Sequence, residues 1–329
     1  MINRPSKDYI WNHYEKLKEE NRRNLRERKE EMYSANSRLA EIETFMTEIS
    51  LKTNRALLES KNDPEILLME LKETHRALKE ERVMILKEMG LPENYLDPIH
   101  SCNLCGDTGF IMTKPCVCRK KLETKLRYDG SNLESVLELE NFDTFQIAYY
   151  NDIPLSTGKS PKTIMGDYLC DCMDFALHFD TQEKNLLFFG KPGLGKTFLC
   201  HSIAKDLMDS GYSVLYITSS ELMDFVRNTK FGFDSGAATP EELSVLYDSE
   251  LLIIDDLGTE TASQFSSLVL YELLNRRLTD KKKMVISTNL EIDDLTNLYS
   301  ERINSRLFGN FEFMEFVGED IRLKKVSLL

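Results

Sequence analysis

The C-terminal half of the chain alternates short apolar runs with longer amphipathic stretches, a pattern typical of strands that alternate with helices. The apolar runs predict five strands, at 186–189, 213–217, 251–254, 283–287 and about 311–316. Because a helix can carry the chain back between two strands, we expect a parallel, doubly wound sheet of the α/β class. A ligand of such a sheet should bind at the carboxyl ends of the strands.

The region before Gly90 carries apolar side chains at heptad spacing instead, in a background rich in Glu, Lys and Arg. The sequence Asn62-Asp63-Pro64 divides this region, with Asp63 placed as an N-cap and Pro64 at the first helical position. The heptad positions are Leu25, Met32, Ala35, Leu39, Ile42, Met46 and Ile49 before the division, and Leu71, Leu78 and Ile85 after it. We therefore predict two long helices folded as an antiparallel hairpin or coiled coil, which serve either as a spacer or as a docking region for a partner protein.

The overall charge and the N-terminus narrow the functional classes. A formal net charge of −13 over 329 residues argues against a broad electrostatic grip on nucleic acid, so any such contact should be confined to a pore or a loop. The N-terminus lacks the apolar core of a signal peptide, and no run of residues is long and apolar enough to cross a bilayer. We expect a cytoplasmic protein without a membrane partner, in which cysteines stay reduced.

Four of the seven cysteines are clustered with the spacing of a metal site. Cys102 and Cys105 form a C-x-x-C pair, which places two thiolates on one tight turn, and Cys116 and Cys118 form a later C-x-C pair. Together the four thiolates can complete a tetrahedral Zn²⁺ site of the structural kind. His100 is an alternative ligand, and a redox-active C-x-x-C is the competing interpretation.

The most specific motif of the chain follows the first predicted strand. Gly190, four further residues, Gly195, Lys196 and Thr197 match the G-x-x-x-x-G-K-[ST] pattern, between an apolar strand and a helix. Lys196 should reach the β- and γ-phosphates of ATP, and the Thr197 hydroxyl should ligate Mg²⁺. The predicted nucleotide-binding residues are Gly190, Lys191, Pro192, Gly193, Leu194, Gly195, Lys196, Thr197 and Phe198.

Polar residues end two other predicted strands. Asp255 and Asp256 close the apolar run at 251–254, and Asn289 follows the run at 283–287. We assign Asp255 to the Mg²⁺ ion and Asp256 to the attacking water. Asn289 is placed to hydrogen-bond the γ-phosphate or that water, although an ordinary strand-to-helix cap is the alternative.

Three arginines near the C-terminus are candidates for contact with the γ-phosphate. Arg302 and Arg306 share a helical face at i, i+4 spacing, so they could act as an arginine finger on the nucleotide of a neighbouring subunit. Arg322 could do the same within its own chain. A solvated arginine pair is the alternative interpretation of Arg302 and Arg306.

These motifs together resemble the AAA+ ATPases, and more closely the bacterial DnaC/DnaI helicase-loader family with its relative IstB. The similar segments are GKPGLGKT at 190–197, LLIIDDLG at 251–258, STN at 287–289, ERINSRL at 301–307 and DIRLKK at 320–325, with ENFDTF near 141 as a lead-in. The resemblance covers about 141 to the C-terminus. The cysteine cluster is similar to the zinc-binding N-terminal module of DnaI-type loaders.

The resemblance implies roles that spacing alone does not. It makes the C-terminal fold an AAA+ domain without the usual helical lid, Asn289 the sensor 1 residue, Arg306 the finger acting in trans with support from Arg302, and Arg322 a sensor 2-like residue. Family members assemble in an ATP-dependent way around single-stranded DNA and deliver the replicative helicase, of DnaB type, onto it. The implied DNA contacts are Phe231, Phe233, Ser263 and Phe265.

The sequence thus predicts four segments and a leading function. Residues 1–92 form the helical docking region, 93–130 the zinc module, 131–180 a linker with lead-in helices and 181–329 the ATPase domain. We expect an ATP-dependent loader of the replicative helicase onto single-stranded DNA, which forms homo-oligomers. The alternatives are an IstB-like ATPase helper of a transposase and an ATP-gated adaptor with negligible hydrolysis.

Overall fold

The computed structural model describes residues 7–58, 65–128, 133–231, 240–261 and 263–323, and the chain divides into two compact units. One unit is Lys7–Lys114 and the other is Pro115–Leu329. The finer division into four segments stays a prediction. No helix among the described residues combines the length and the apolar character needed to span a membrane.

The described part of the N-terminal unit contains three long helices where the sequence predicted two. They are α1 (Lys7–Ala35), α2 (Ser37–Leu58) and α3 (Glu65–Glu88). The chain turns at Asn36, whose side-chain oxygen accepts a hydrogen bond from the backbone N–H of Arg38 at 3.0 Å. This side-chain bond offers the backbone an alternative to the helical pattern, so the first predicted helix ends and a new one begins. The ion pair between Lys29 and Glu43 shows that α1 and α2 fold back on each other.

The predicted heptad seam is buried only in part, since Ala35 is exposed and five other predicted positions are half-buried, namely Leu25, Met46, Leu71, Leu78 and Ile85. Met32, Leu39, Ile42 and Ile49 are all buried, and Met32 and Leu39 pack with Leu86 of α3. Arg38 and Glu81 form an ion pair between α2 and α3 with a nitrogen–oxygen distance of 2.7 Å. The predicted division at 62–64, with Asp63 as N-cap, lies outside the described residues. A short hairpin, β1 (Phe110–Ile111) and β2 (Lys114–Pro115), follows within the cysteine-rich segment.

The C-terminal unit is built on a five-stranded parallel sheet in the order β4-β5-β6-β3-β7. Its strands are β3 (Asn185–Phe189), β4 (Val214–Thr218), β5 (Leu251–Leu257), β6 (Lys283–Thr288) and β7 (Phe311–Glu315). Apolar side chains from both faces of these strands form two core clusters with the helices. The predicted fold class, a parallel doubly wound sheet preceded by a helical region, is confirmed, and every strand begins or ends within a few residues of its prediction.

Helices precede the sheet and connect its strands. They are α4 (Val117–Tyr128), α5 (Leu133–Leu139), α6 (Pro161–Leu177), α7 (Lys196–Ser210), α8 (Ser219–Phe231), α9 (Pro240–Asp248), α10 (Gln264–Thr279), α11 (Ile292–Leu298) and α12 (Glu301–Asn310). Helix α6 begins at Pro161 because Ser160 caps it by accepting a hydrogen bond from the N–H of Thr163. Strand β3 lies between β6 and β7, so the loop after β3 opens beside the ends of its neighbours.

Candidate nucleotide-binding site

The loop from β3 to α7 needs glycine at its turning points. Gly190, Gly193 and Gly195 have φ values of 124°, 78° and 95°, in the left-handed region that other residues rarely adopt. A side chain at Gly190 would place its Cβ 2.5 Å from the backbone oxygen of Phe316. Gly195 is the N-cap of α7, so the positive end of this helix opens into the loop. The predicted phosphate-binding motif therefore adopts a geometry that suits an anion.

Lys196 lies folded over this loop. Its Nζ donates hydrogen bonds to the backbone oxygens of Gly190 at 2.6 Å and Lys191 at 2.8 Å. Burial lowers the pKa of the amine to about 8, while Asp256 and Asp255 act in the opposite direction. The side chain is thus held at the loop and is mostly protonated at neutral pH.

Asp255 is the centre of a hydroxyl cluster at the end of β5. Its Oδ1 accepts hydrogen bonds from Ser287 and from Thr197 Oγ1, the latter at 3.3 Å, and its Oδ2 accepts one from Tyr216 at 2.5 Å. The structure therefore brings together Thr197 and Asp255, the two predicted Mg²⁺ ligands. A hydroxyl beside a buried carboxylate is a hard oxygen set, which fits a magnesium ion that keeps several of its waters.

Asp256 and Asn289 form a second polar pair beside it. Asn289 Nδ2 donates to Asp256 Oδ1 at 2.9 Å, and the backbone N–H of Asp256 donates to Ser287 at 2.9 Å. Burial raises the pKa of Asp256, and the charge of Asp255 adds to this effect, while Asn289 lowers it. Asp256 has a φ of 55°, where β5 departs from regular pairing with β6. This backbone turn separates the two acids, so that Asp255 meets Tyr216 and Thr197 while Asp256 meets Asn289.

These residues surround a cleft of about 310 Å³. The C-terminal segment closes one side, where the backbone N–H of Ile321 donates to the oxygen of Gly193 at 2.9 Å. The described residues that line the cleft are Glu140, Pro192, Gly193, Leu194, Gly195, Lys196, Thr197, Phe198, Asp256, Asn289, Ile321 and Arg322. Arg322 thus lines this cleft within its own chain, and its contact with the γ-phosphate stays a prediction.

Arg302 and Arg306 are not among the described residues that line this cleft. Both lie on α12, where Arg302 is exposed and Arg306 is half-buried. Arg306 Nη2 donates to the side-chain oxygen of Asn275 at 2.9 Å. Their contact with the nucleotide of a neighbouring subunit stays a prediction.

The predicted DNA contacts fall into two groups. Ser263 caps α10 and accepts a hydrogen bond from the N–H of Ser266, and Phe265 lies 5.6 Å below the guanidinium of Arg227. Both residues thus make structural contacts at the start of α10. Their contact with DNA stays a prediction. Phe233 and the side chain of Phe231 lie outside the described residues.

The four clustered cysteines converge. The sulfur atoms of Cys102, Cys105, Cys116 and Cys118 all lie within 4.8 Å of one another. Asp107 stabilises the first turn by accepting a hydrogen bond from the N–H of Cys102 at 2.8 Å. His100 is outside the group and lies with its Nδ1 3.7 Å from Asp107 Oδ2. A cluster of four thiolates is suited to Zn²⁺ without a histidine ligand.

The sequence analysis did not identify several residues of the site. Tyr216 and Ser287 hold Asp255, and Glu140 lines the cleft while its Oε2 lies 2.6 Å from Nδ1 of His201. Their only signal in the sequence is a polar side chain within or beside an apolar run. That signal becomes meaningful only when the pairing of the strands is known.

Comparison with known proteins identifies relatives of the C-terminal unit. Residues 173–328 match the family described as IstB-like ATP binding protein. The replicative helicase loader DnaC of Escherichia coli strain K12 is 30% identical over 155 residues, which are 47% of this chain and 62% of that protein. The DnaC loader of Buchnera aphidicola subsp. Baizongia pistaciae is 29% identical over 152 residues, 46% of this chain and 61% of that protein. The matched segment thus spans less than two thirds of each relative.

Solved structures include similar chains. The crystal structure of the DnaC helicase loader is 23% identical, with a TM-score of 0.44, over 55% of this chain and 99% of that one. The crystal structure of DnaI is 21% identical, with a TM-score of 0.41, over 46% of this chain and 84% of that one. The similarity to DnaC in sequence, together with the family match, bears out the resemblance drawn from the motifs.

Proposed function

We propose, from the premise that residues 173–328 form an IstB-like ATP-binding domain related to DnaC, that this chain is an ATP-dependent loader of a replicative DNA helicase. In this proposal ATP binding and hydrolysis act as an assembly switch on single-stranded DNA, in the cytoplasm. The observation that supports it most is the complete phosphate site, in which Lys196, Thr197 and Asp255 converge within a domain 30% identical to a helicase loader.

The side chains of the cleft have distinct roles in the proposed reaction. The loop N–H groups and Lys196 hold the β- and γ-phosphates, and Thr197 and Asp255 hold Mg²⁺. When bound, the metal ion neutralises charge that develops on the phosphate oxygens. Asp256 orients the attacking water and accepts its proton, with Asn289 fixing the carboxylate. Arg322 places a positive charge at the same cleft.

The pair of Asp256 and Asn289 favours slow turnover. AAA+ proteins resembling this chain typically carry glutamate where Asp256 stands, and an aspartate reaches less far toward a water. Asp256 is also engaged by Asn289 at 2.9 Å, so it must share its oxygens between this amide and the water. A slow hydrolysis step suits a switch that holds an assembly and then releases it.

The helical unit is the part we assign to the helicase. Helix α1 exposes Trp11 and Tyr9, with 66% and 55% of their surfaces accessible, and α3 exposes Met69. Aromatic residues and methionine are enriched in protein interfaces. ATP-dependent self-association would then be left to the C-terminal unit.

A loading assay tests this function directly. The full chain and the purified replicative helicase of the same host are mixed with forked DNA coated by single-strand binding protein, and unwinding is followed. ATP is present throughout because the helicase itself needs it, and we expect unwinding with the wild-type chain but not without the chain or with Lys196→Ala. A chain that neither binds the helicase nor promotes unwinding would contradict the proposal, and binding to a transposase would instead support an IstB-like helper.

We also propose that Cys102, Cys105, Cys116 and Cys118 hold a structural Zn²⁺ ion. The full chain, purified without chelators, should contain about one Zn²⁺ per molecule, because four convergent thiolates close a tetrahedral site. Cys105→Ser should lose most of this zinc, whereas Cys170→Ser, which changes an exposed cysteine outside the cluster, should retain it. Elemental analysis measures both. A wild-type chain without zinc but with a Cys102–Cys105 disulfide would favour the redox interpretation.

A further inference from the structure

Tyr216 contacts Asp255 from the neighbouring strand. It pairs with Ile253 in the β4–β5 register, so Asp255, two residues further along, lies on the same face of the sheet. The Tyr216 hydroxyl donates to Asp255 Oδ2 at 2.5 Å. The other carboxylate oxygen, Oδ1, accepts from Ser287 and Thr197. Tyr216 therefore engages the oxygen that faces away from Thr197's hydroxyl.

Tyr216 is itself held firmly. Its backbone N–H donates to the hydroxyl of Tyr128 at 2.7 Å, and that hydroxyl donates to the backbone oxygen of Val214 at 3.2 Å. Its ring lies against the imidazole of His201, with 4.8 Å between ring centroids. His201 Nδ1 is 2.6 Å from Glu140 Oε2. Both the backbone and the ring of Tyr216 are thus fixed, which leaves its hydroxyl little freedom.

The Tyr216 hydroxyl is the donor in this contact, because an ionised carboxylate can only accept hydrogen bonds. Asp255 is only 3% exposed. Hydroxyl groups of the protein, and not water molecules, therefore orient its carboxylate.

We propose that Tyr216 is a positioning residue for the magnesium site. Its hydrogen bond fixes the rotation of the Asp255 carboxylate, so that Oδ1 stays directed at Thr197. Magnesium demands near-ideal octahedral geometry, and hydrogen bonds to a ligating carboxylate commonly change metal affinity by about 10- to 100-fold. This inference rests on the proposed function, because it takes Asp255 and Thr197 to be the residues that hold Mg²⁺.

The test uses Tyr216→Phe in the full chain, since phenylalanine keeps the ring against His201 and removes only the hydroxyl. Binding of a fluorescent ATP analogue is measured in EDTA and across a Mg²⁺ titration. We expect an affinity in EDTA within about twofold of wild type, and a half-saturating Mg²⁺ concentration raised by about tenfold. The readout is equilibrium binding, so it does not depend on turnover.

Tyr299→Phe is the matched control. It removes another buried tyrosine hydroxyl that donates to a buried carboxylate, but that carboxylate belongs to Glu260, which is not among the described residues that line the cleft. We expect this variant to leave the half-saturating Mg²⁺ concentration unchanged. An equal shift in both variants, or an equal loss of affinity with and without Mg²⁺, would show a general effect of losing a buried hydroxyl and would overturn the proposal.

Asp255→Asn separates this inference from the proposed function. If Asp255→Asn leaves the Mg²⁺ dependence unchanged, Asp255 does not hold the ion, and the magnesium assignment itself fails. If Asp255→Asn weakens the Mg²⁺ dependence while Tyr216→Phe matches wild type, the magnesium assignment stands and the role of Tyr216 is wrong. Thermal unfolding of each variant in EDTA verifies that the compared proteins are folded.

Discussion

Lys196→Ala is expected to lower ATP turnover by about 1000-fold and to weaken ATP binding, because the substitution removes the ammonium group that is held on the phosphate loop. The amine is held on the backbone oxygens of Gly190 and Lys191, where it is poised to exchange these partners for phosphate oxygens. Steady-state phosphate release and equilibrium ATP binding measure the two effects.

A second lysine on the same helix provides the control. Lys205 lies further along α7, where it forms ion pairs with Glu138 and Asp209 away from the cleft. Lys205→Ala should keep turnover within about twofold of wild type, because the side chain lies away from the cleft. Loss of its ion pairs should also change the stability of the fold little. Turnover that survives Lys196→Ala with unchanged ATP affinity would mean that the nucleotide binds elsewhere.

The phosphate loop could be predicted because its chemistry is local. Gly190, Gly195, Lys196 and Thr197 lie within eight residues, and the torsion angles that the motif requires are those that the structure has. The strands were predictable for a similar reason, since short apolar runs between polar or glycine-containing segments indicate buried strands. Local patterns thus located the sheet and the anion site.

The hydroxyls around Asp255 could not be predicted, because they depend on strand register. Tyr216 and Ser287 lie 39 and 32 residues away from Asp255 along the chain. A shift of the β4–β5 register by one residue would turn Tyr216 to the other face of the sheet. Spacing along the sequence contains no information about that register.

Periodicity also concealed the break at Asn36. Met32 and Leu39 are seven residues apart and both are buried, as one continuous helix would also require. The turn between them brings both side chains into the same core with Leu86, so the heptad spacing persists across two helices. Asn36 was the only local signal, and a single asparagine is compatible with a helix interior.

Arg277 is a further residue whose role depends on packing, and the sequence analysis made no prediction for it. An arginine in the last turn of α10 looks like a solvated helix end, yet Arg277 is fully buried. It donates to the backbone oxygens of Leu246 and Lys283, each at 2.7 Å, and so joins α9 to the start of β6. Burial lowers its pKa to about 9, and it remains charged at neutral pH. Only the packing of α9 reveals this role.

The position of Arg306 leads to the second large effect. Its guanidinium donates to Asn275, and it does not line the described part of its own nucleotide cleft. If it acts on a neighbouring subunit, Arg306→Ala should lower turnover by about 1000-fold while ATP binding persists, as for other arginine fingers. Arg276→Ala is the control. Arg276 lies on the nearby α10, and its guanidinium stacks 4.0 Å from the ring centroid of Tyr247 on α9. We expect its loss to change turnover little.

Mixing two inactive variants distinguishes action in trans from action in cis. In a head-to-tail assembly, each site combines the phosphate loop of one subunit with the arginine of the next. When Arg306→Ala and Lys196→Ala chains are mixed in equal amounts, half of the subunits have an intact phosphate loop. For each of these subunits, the adjacent subunit has an intact Arg306 in half of the cases. About one quarter of the sites are then complete, so turnover should recover to about one quarter of wild type. No recovery would place the role of Arg306 within its own subunit, where its hydrogen bond to Asn275 would be its function.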